Sequence, residues 1–354
     1  MKEKVTHNTS WVEKGFVDDS ELRNRGLIVK DLMFYITQGC DLRCTTCYVG
    51  NSWLSTGETY SKAEADLVLK HFASPGLDRL TFLGGEPTLH PNITDLILYA
   101  NEFDIKEKRI TTNAVTLGNL DLRRLKGDEV DQVSISLDGA TKETHEKIRG
   151  KGTFDKTVEN VKRLIQRGFP VSMNFTVNGV NKHETVDAVR LFSELGAKEV
   201  NFHLVTMIGN AEKHPELAVE PSEWVRIRKE LESISGMPGM TLRIPLMFIT
   251  AEEYRDLIIG KNYHPFQRLS YHSETGQRIV LYPNGKVYMS CDLTGTDYNF
   301  ATFRDGIFKL NTGINELTFF EQNPDNPDVS GDLLALDRQG FVRLSISYKE
   351  RVEL

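Results

Sequence analysis

Three of the chain's four cysteines lie within eight positions, in the stretch "YITQGCDLRCTTCYVG". Cys40, Cys44 and Cys47 are separated by three and two residues and follow an apolar run. A structural zinc site normally has four Cys or His ligands, usually in two pairs, and no second pair follows here. Three thiolates would instead leave one iron of a four-iron cube with an open coordination position, where a molecule can react. The stretch therefore favours a reactive iron–sulfur cluster, with a zinc-stabilised module as the alternative.

The overall composition limits the class of protein. The chain has 354 residues, enough for a large core, and a formal net charge of -7. Its Lys and Arg residues are scattered, which gives no electrostatic footprint for nucleic acid. No apolar run reaches the roughly 18 residues that span a bilayer, and the polar N-terminal stretch does not resemble a secretory signal. Four cysteines are too few for a disulfide framework, so we expect a cytoplasmic protein with reduced thiols and no membrane partner.

From about residue 29, strand patterns and amphipathic helix patterns alternate along the chain. The first strand pattern is "LIVKDLMFYIT", the first helix pattern is "SKAEADLVLKHFA", and the sixth pair ends with "KEVNFHLVT". This alternation predicts parallel strands joined by right-handed crossovers. We therefore predict an α/β fold with a partial (β/α)6 TIM-like barrel, whose reactive groups gather at the carboxyl ends of the strands.

The regular alternation stops after about residue 205. The stretch "AVEPSEWVRIRKELESI" still has a helical pattern, and "RIVLYPNGKVYM" has the Asn-Gly turn of a β-hairpin between two apolar runs. The remaining C-terminal residues are irregular and rich in turn residues. We predict three parts: an N-terminal segment at 1–28, the partial barrel at 29–235, and a short irregular C-terminal extension with a β-hairpin at 236–354.

The tetrapeptide "GGEP" at 84–87 also closes a predicted strand, about 40 residues after the cysteine stretch. Together these two motifs make residues 29–205 resemble the radical S-adenosylmethionine (SAM) enzymes. The resemblance implies one 4Fe-4S cluster held by Cys40, Cys44 and Cys47, with SAM chelated at the remaining iron. It also implies reductive cleavage of SAM to a 5'-deoxyadenosyl radical, which abstracts hydrogen from a substrate C–H bond.

The same resemblance assigns further residues to SAM. Glu86 would help to hold the methionyl ammonium group, and Arg149 would face the SAM carboxylate. Ser136 and Asp138, which end the fourth predicted strand, would lie on the ribose side. The other candidates for SAM or substrate stand at strand ends or on the fifth strand, and they are Gly84, Gly85, Thr112, Asn113, Asn174 and Thr176.

One position departs from the pattern of the family. Where the family usually has an aromatic residue just before the third cysteine, this chain has Thr46. The candidates to pack near the adenine are therefore Tyr48 and Val49.

The fourth cysteine, Cys291, stands in "YPNGKVYMSCDLTG", just after the predicted hairpin. This stretch resembles the start of the SPASM or Twitch extension, which holds auxiliary clusters in larger relatives. No cysteine follows Cys291, so we expect no auxiliary cluster. Two roles stay open: a small buried apolar residue, or a thiol that returns hydrogen to a substrate radical, as in some epimerases of the family. His203, Tyr271 and His272 are candidates to act on substrate hydroxyl groups.

These features predict hydrogen abstraction from a small metabolite such as a sugar, an aminoglycoside or a nucleoside. Only about 28 residues precede the first predicted strand, which favours a small molecule over a ribosomal peptide. Epimerisation with Cys291 as hydrogen donor is one outcome. Radical C–C bond formation, dehydration and decarboxylation are others. The expected protein partner is a reductant such as flavodoxin or ferredoxin.

Overall fold

The structure is a computed structural model that describes residues 29–234, 239–245, 247–254, 278–288, 291, 299–310 and 341–343. The N-terminal segment and most of the C-terminal extension, including Tyr271 and His272, lie outside these residues. Within the described part, no helix combines the length and the apolar character needed to cross a membrane.

Seven parallel strands in chain order form the main part of one sheet, and the first six are the predicted ones. Both faces of the first strand and most of the fifth are buried, as expected where helices cover a parallel sheet. The fold is therefore the predicted α/β partial barrel. The strands are β1 (Asp31–Thr37), β2 (Arg79–Gly84), β3 (Lys108–Thr112), β4 (Gln132–Ser136), β5 (Val171–Val177), β6 (Glu199–Leu204) and β7 (Thr241–Arg243).

The helices follow the strands as the sequence patterns predict, with three short additions. Ser61 and Glu64 form a capping box that starts the second helix and satisfies its first amide groups. The additions are Gly50–Leu54, which follows the cysteine stretch, Lys142–Arg149, which ends at Arg149, and Ala251–Tyr254. The helices are α1 (Gly50–Leu54), α2 (Lys62–Ala73), α3 (Ile93–Ala100), α4 (Lys142–Arg149), α5 (Phe154–Gln166), α6 (Thr185–Leu195), α7 (Pro221–Ser233) and α8 (Ala251–Tyr254).

The predicted hairpin is present, and it extends the barrel sheet. Strands β9 (Arg278–Leu281) and β10 (Lys286–Tyr288) are antiparallel, and Gly285 in the turn has φ +75°. β9 also pairs in parallel with β1, on the side away from β2. The sheet thus continues past residue 235, and the division at that residue stays a prediction. The remaining strands are β8 (Phe248–Thr250), β11 (Ala301–Arg304), β12 (Ile307–Leu310) and β13 (Phe341–Arg343).

A buried carboxylate joins the hairpin to the barrel. Asp31, at the start of β1, is 1% exposed. Its Oδ2 accepts hydrogen bonds from Arg278 Nε at 3.0 Å and Nη2 at 2.9 Å, and from Arg79 Nη1 at 3.4 Å. Because Arg79 starts β2 and Arg278 starts β9, one carboxylate fixes the amino ends of three neighbouring strands.

Candidate active site

A cavity of about 430 Å³ opens at the carboxyl ends of the parallel strands. Its volume is in the range of roughly 300 to 1,000 Å³ that is usual for small-molecule sites. Thr46, Val49, Thr176 and His203 line it together with most of the predicted site residues. Those residues are Cys40, Cys44, Cys47, Tyr48, Gly84, Gly85, Glu86, Thr112, Asn113, Ser136, Arg149, Asn174 and Cys291.

The three clustered cysteines lie in a loop that leaves the end of β1. The amide of Leu42 faces Cys40 Sγ at 3.4 Å. The loop docks on the last turn of α4, where Thr45 N donates to Ile148 O at 2.9 Å. Arg149 directly follows Ile148 in α4, so this contact places Arg149 beside the thiols.

Burial controls the protonation of these thiols. It raises the pKa of Cys40 to about 12 and that of Cys44 to about 11, and Arg149 acts in the opposite direction on Cys44. Burial also raises the pKa of Cys47, while hydrogen bonds from the backbone amides of Gly50 and Val49 act to lower it. The metal-free protein therefore holds neutral thiols, and bound iron has to displace their protons.

The donor set fits an iron–sulfur cluster. Three thiols from one loop line a common cavity, and thiolates are the ligands that such clusters take. Within the described residues, no three His, Cys, Asp or Glu side chains are grouped to hold a single metal ion. In an iron–sulfur cube each thiolate binds its own iron, so the ligands need only surround a shared space. Cys40, Cys44 and Cys47 meet that condition.

Gly84 and Gly85 let β2 approach the backbone of the cysteine loop. A Cβ on Gly84 would lie 2.5 Å from Thr37 O, and one on Gly85 would lie 2.4 Å from Gly39 O. Both distances are far below a normal contact, so any larger residue would push the loop outward. The absence of side chains is thus required by the protein's own backbone, and a role of these glycines towards SAM or substrate stays a prediction.

Glu86 is the buried acid of the cavity, with 1% of its surface exposed. Its Oε1 accepts hydrogen bonds from Thr112 Oγ1 at 2.6 Å and Thr88 Oγ1 at 2.7 Å, and its Oε2 accepts from Asn113 N at 2.7 Å. Burial raises the pKa of Glu86, and these hydrogen bonds act against the rise. Oε1 is crowded with donors, so Oε2 is the oxygen with capacity for a cationic group of a ligand.

Arg149 is held by Asp138. Arg149 Nε donates to Asp138 Oδ2 at 2.7 Å, and Thr176 N donates to Asp138 Oδ1 at 2.7 Å. Burial acts to lower the pKa of Arg149, but Asp138 raises it above its usual range. Asp138 does not line the cavity, because both of its oxygens face protein donors. Asp138 thus contacts Arg149, whereas the resemblance to the family placed Asp138 on the ribose side of SAM.

Tyr48 has a fixed position at the edge of the cavity. Its hydroxyl forms a hydrogen bond with the hydroxyl of Tyr35, a buried residue of β1. Tyr35 packs on Tyr282 with ring centroids 4.4 Å apart and on Trp53 at 6.0 Å. Tyr35 was not among the predicted site residues, although its inward place on β1, five residues before Cys40, is a usable signal.

The part of the cavity that β5 and β6 line has no Lys, Arg, Asp or Glu among its described lining residues. Asn174 Oδ1 accepts a hydrogen bond from Asn201 at 3.2 Å, and desolvation by the surrounding protein lowers the pKa of His203. Cys291 is half-buried and reaches this cavity from the end of the hairpin. The fold therefore brings the fourth cysteine to the site of the first three.

Comparisons with known proteins agree with this geometry. The family model of the radical SAM superfamily matches residues 34–215. A probable GTP 3',8-cyclase from Saccharolobus solfataricus is 30% identical over 185 residues, which cover 51% of this chain and 58% of the relative. An AdoMet-dependent heme synthase from Methanosarcina barkeri is 30% identical over 194 residues, 54% of each chain. This chain thus spans little more than half the length of these two relatives.

Solved structures share the fold. SuiB from Streptococcus suis, bound to S-adenosylmethionine, aligns with a TM-score of 0.64 and 15% identity over 90% of this chain and 72% of that one. The protein anSMEcpe with bound AdoMet aligns with a TM-score of 0.59 and 18% identity over 84% and 82%. At these identities the likeness concerns the fold.

The family match covers 182 of the 354 residues, and the cysteine loop and GGEP both fall within it. The chain belongs to the radical SAM superfamily. It is a radical SAM enzyme, and the fold of this superfamily binds a 4Fe-4S cluster and SAM. Enzymes of this kind need a substrate and a reductant.

Proposed function

We propose that this protein abstracts hydrogen from a C–H bond of a small hydroxylated metabolite, and that Cys291 then donates hydrogen to the substrate radical. The observation that carries the proposal is the presence of Cys291 in the same cavity as the three clustered cysteines. When bound, the cluster and SAM supply the hydrogen-abstracting radical, a chemistry that side chains lack. A hydrogen returned to the opposite face inverts the carbon, and the reaction is an epimerisation. The Cys291 thiyl radical that this leaves takes one electron from the reductant and one proton from solvent, which restores the thiol.

The chain's own residues bind and orient in this proposal. Cys40, Cys44 and Cys47 hold the cluster. Glu86 Oε2 accepts a hydrogen bond from the methionyl ammonium group of SAM, since among the described residues this oxygen has a single donor, Asn113 N, at 2.7 Å. Among the described residues only Asp138 binds Arg149, through Nε, so the terminal nitrogens of the guanidinium are available to the SAM carboxylate.

The remaining assignments concern adenosine. The hydroxyl of Ser136 and the polar groups of Thr112 and Asn113 line the cavity and supply contacts for the ribose. Tyr48, whose hydroxyl is bound by Tyr35, offers an aromatic ring for the adenine. Gly84 and Gly85 keep the loop and β2 close enough to surround the cofactor.

The lining supports a substrate without phosphate groups. Asn174, Thr176 and Thr206 offer hydrogen-bonding groups for hydroxyls, and Arg149 is the only Lys or Arg among the described lining residues. A nucleoside triphosphate is normally bound by several cations, because each phosphate is charged and takes charge-assisted hydrogen bonds. The described cavity therefore favours a sugar, an aminoglycoside or a nucleoside over a nucleotide such as GTP.

The test is Cys291→Ala under anaerobic conditions, with dithionite as reductant and a panel of sugars, aminoglycosides and nucleosides. We expect the variant to cleave SAM and to abstract hydrogen, because neither step uses this thiol. Product formation should stop. In D2O the wild-type enzyme should place one deuterium at the inverted carbon, because the thiol hydrogen exchanges with solvent. Cys291→Ser is the matched control, since its stronger O–H bond does not replace the thiol as donor.

Two results would contradict the role of Cys291: product at the wild-type rate from Cys291→Ala, or wild-type product without solvent deuterium. Either result would move the assignment to C–C bond formation, dehydration or decarboxylation, which need no hydrogen from the protein. Replacing dithionite with flavodoxin or ferredoxin tests the proposed class of physiological reductant.

A further inference from the structure

The segment after β6 binds the cysteine loop through hydrogen bonds from one asparagine. Asn210 N donates to Cys47 O at 2.9 Å, and Asn210 Nδ2 donates to Cys44 O at 2.8 Å. Asn210 is 5% exposed. One residue, which is 163 positions after Cys47 in the chain, therefore binds the carbonyl groups of two of the three clustered cysteines.

The same side chain fixes the turn that follows Cys47. Asn51 N donates to Asn210 Oδ1 at 2.9 Å, and Asn210 Nδ2 lies 3.0 Å from Asn51 Oδ1. Asn51 is the second residue of α1, directly after Gly50, whose φ is +76°. Hydrogen bonding from the backbone amides of Gly50 and Val49 acts to lower the pKa of Cys47. Asn210 thus anchors the turn whose amide groups point at this thiol.

Gly209 makes the close approach possible. Its φ is +65°, and a Cβ on it would lie 2.3 Å from Tyr48 O and 2.6 Å from Cys47 O. Only glycine allows both this backbone conformation and this contact. The Gly209–Asn210 pair therefore packs directly on the backbone of the cysteine loop.

We propose that Asn210 is a positioning residue that sets the geometry of the cluster loop and, through the amides directed at Cys47, the reduction potential of the cluster. This inference rests on the proposed ligation by Cys40, Cys44 and Cys47. Amide hydrogen bonds to a ligand sulfur stabilise the reduced cluster, which carries more negative charge, and so raise its potential. Loss of the anchor should lower the potential and loosen the iron.

The main test is Asn210→Ala, reconstituted with iron and sulfide under anaerobic conditions. We expect a midpoint potential below that of the wild type in an EPR-monitored redox titration, and faster loss of iron to a chelator. In the iron-free protein, the amide of Gly50 should exchange with D2O faster than in the wild type. Asn101→Ala is the matched control, because Asn101 Nδ2 binds Ile97 O at 2.9 Å and Glu129 O at 3.2 Å, away from the loop.

A second pair of variants distinguishes the effect of a clash with the cysteine loop from the effect of backbone strain. Gly209→Ala should lower iron retention strongly. Gly168→Ala introduces the same kind of strain, at φ +81°, but its Cβ would meet nothing within 4 Å. It should therefore reduce stability and leave iron content and potential unchanged.

The outcomes are distinguishable. A wild-type protein that binds no iron would remove the proposed cluster ligation itself. A wild-type cluster with unchanged potential and iron retention in Asn210→Ala would overturn the role of Asn210 alone. Unfolding of Asn210→Ala while Asn101→Ala stays folded would assign Asn210 a purely structural role and would also overturn the proposal.

Discussion

Arg149 and Asp138 form a buried ion pair next to the cysteine loop, with Arg149 Nε 2.7 Å from Asp138 Oδ2. The carboxylate is fully buried, and the arginine side chain is 13% exposed. Asp138 also accepts the amide of Thr176 from β5. One carboxylate therefore sets the position of the only cation among the described residues of the cavity lining.

Asp138→Asn should destabilise the protein by about 3 to 5 kcal/mol, because it leaves the buried charge of Arg149 uncompensated. Urea denaturation of the iron-free protein measures the change. The control is Asp187→Asn, which breaks an exposed pair with Arg190 and should cost less than about 1 kcal/mol. Equal costs for the two variants would show that the buried pair has no special role.

Replacing any one of Cys40, Cys44 and Cys47 with Ala should remove the cluster, because two thiolates no longer enclose it. Iron content should fall from about four per chain to nearly none, and dithionite should no longer drive formation of 5'-deoxyadenosine. Cys291→Ala is the control and should keep its iron. A triple alanine variant that still cleaves SAM reductively would contradict the assignment of these ligands.

Glu86→Gln should keep the cluster and bind SAM more weakly. A charge-assisted hydrogen bond to a buried carboxylate contributes about 1.5 to 3 kcal/mol, which corresponds to roughly 10-fold to 150-fold in affinity. Titration calorimetry on the reconstituted protein measures the change. Thr88→Val is the control, because Thr88 Oγ1 donates to Oε1 of Glu86 and the substitution leaves Oε2 untouched. Equal SAM affinity in Glu86→Gln and wild type would leave Glu86 a structural role.

His145 should make the fold sensitive to acid. Burial, with Arg149 nearby, lowers the pKa of His145 to about 3 in the folded protein, against about 6.5 in the unfolded chain. The unfolded chain thus binds a proton in this window that the folded protein excludes. Stability should therefore fall as the pH drops from about 6.5 towards 3, by up to ~1.4 kcal/mol per unit.

His145→Gln should reduce that slope while keeping an acceptor for Asp138 N, which donates to His145 Nδ1 at 3.2 Å. Urea denaturation between pH 6 and pH 4 measures it. Parallel curves for His145→Gln and wild type would show that His145 is protonated in the folded state.

The repeating pattern of the sequence determined the barrel. Strand and helix periods are local properties, since a buried parallel strand needs a continuous apolar run and a covering helix needs one apolar face. The six predicted strands, their helices and the Asn-Gly hairpin could therefore be identified without coordinates. Strand β7 has three residues, and a run of that length carries no period.

Much of the chemistry of the site could also be predicted from the sequence. Three cysteines in one short loop and the GGEP turn after the next strand are near in the chain, and the parallel topology brings both to the same edge of the sheet. Residue type and spacing were enough to place Cys40, Cys44, Cys47 and Glu86 together.

Only the tertiary structure decided the contacts between distant segments. Pairing of β9 with β1 brings Cys291 to the cavity, the ion pair turns Asp138 towards Arg149, and the turn after β6 places Asn210 on the loop. Each of these contacts joins residues that are separated in the chain or depends on the direction of a side chain. Such contacts follow from packing and hydrogen bonding across the whole fold, and no local pattern of residues encodes them.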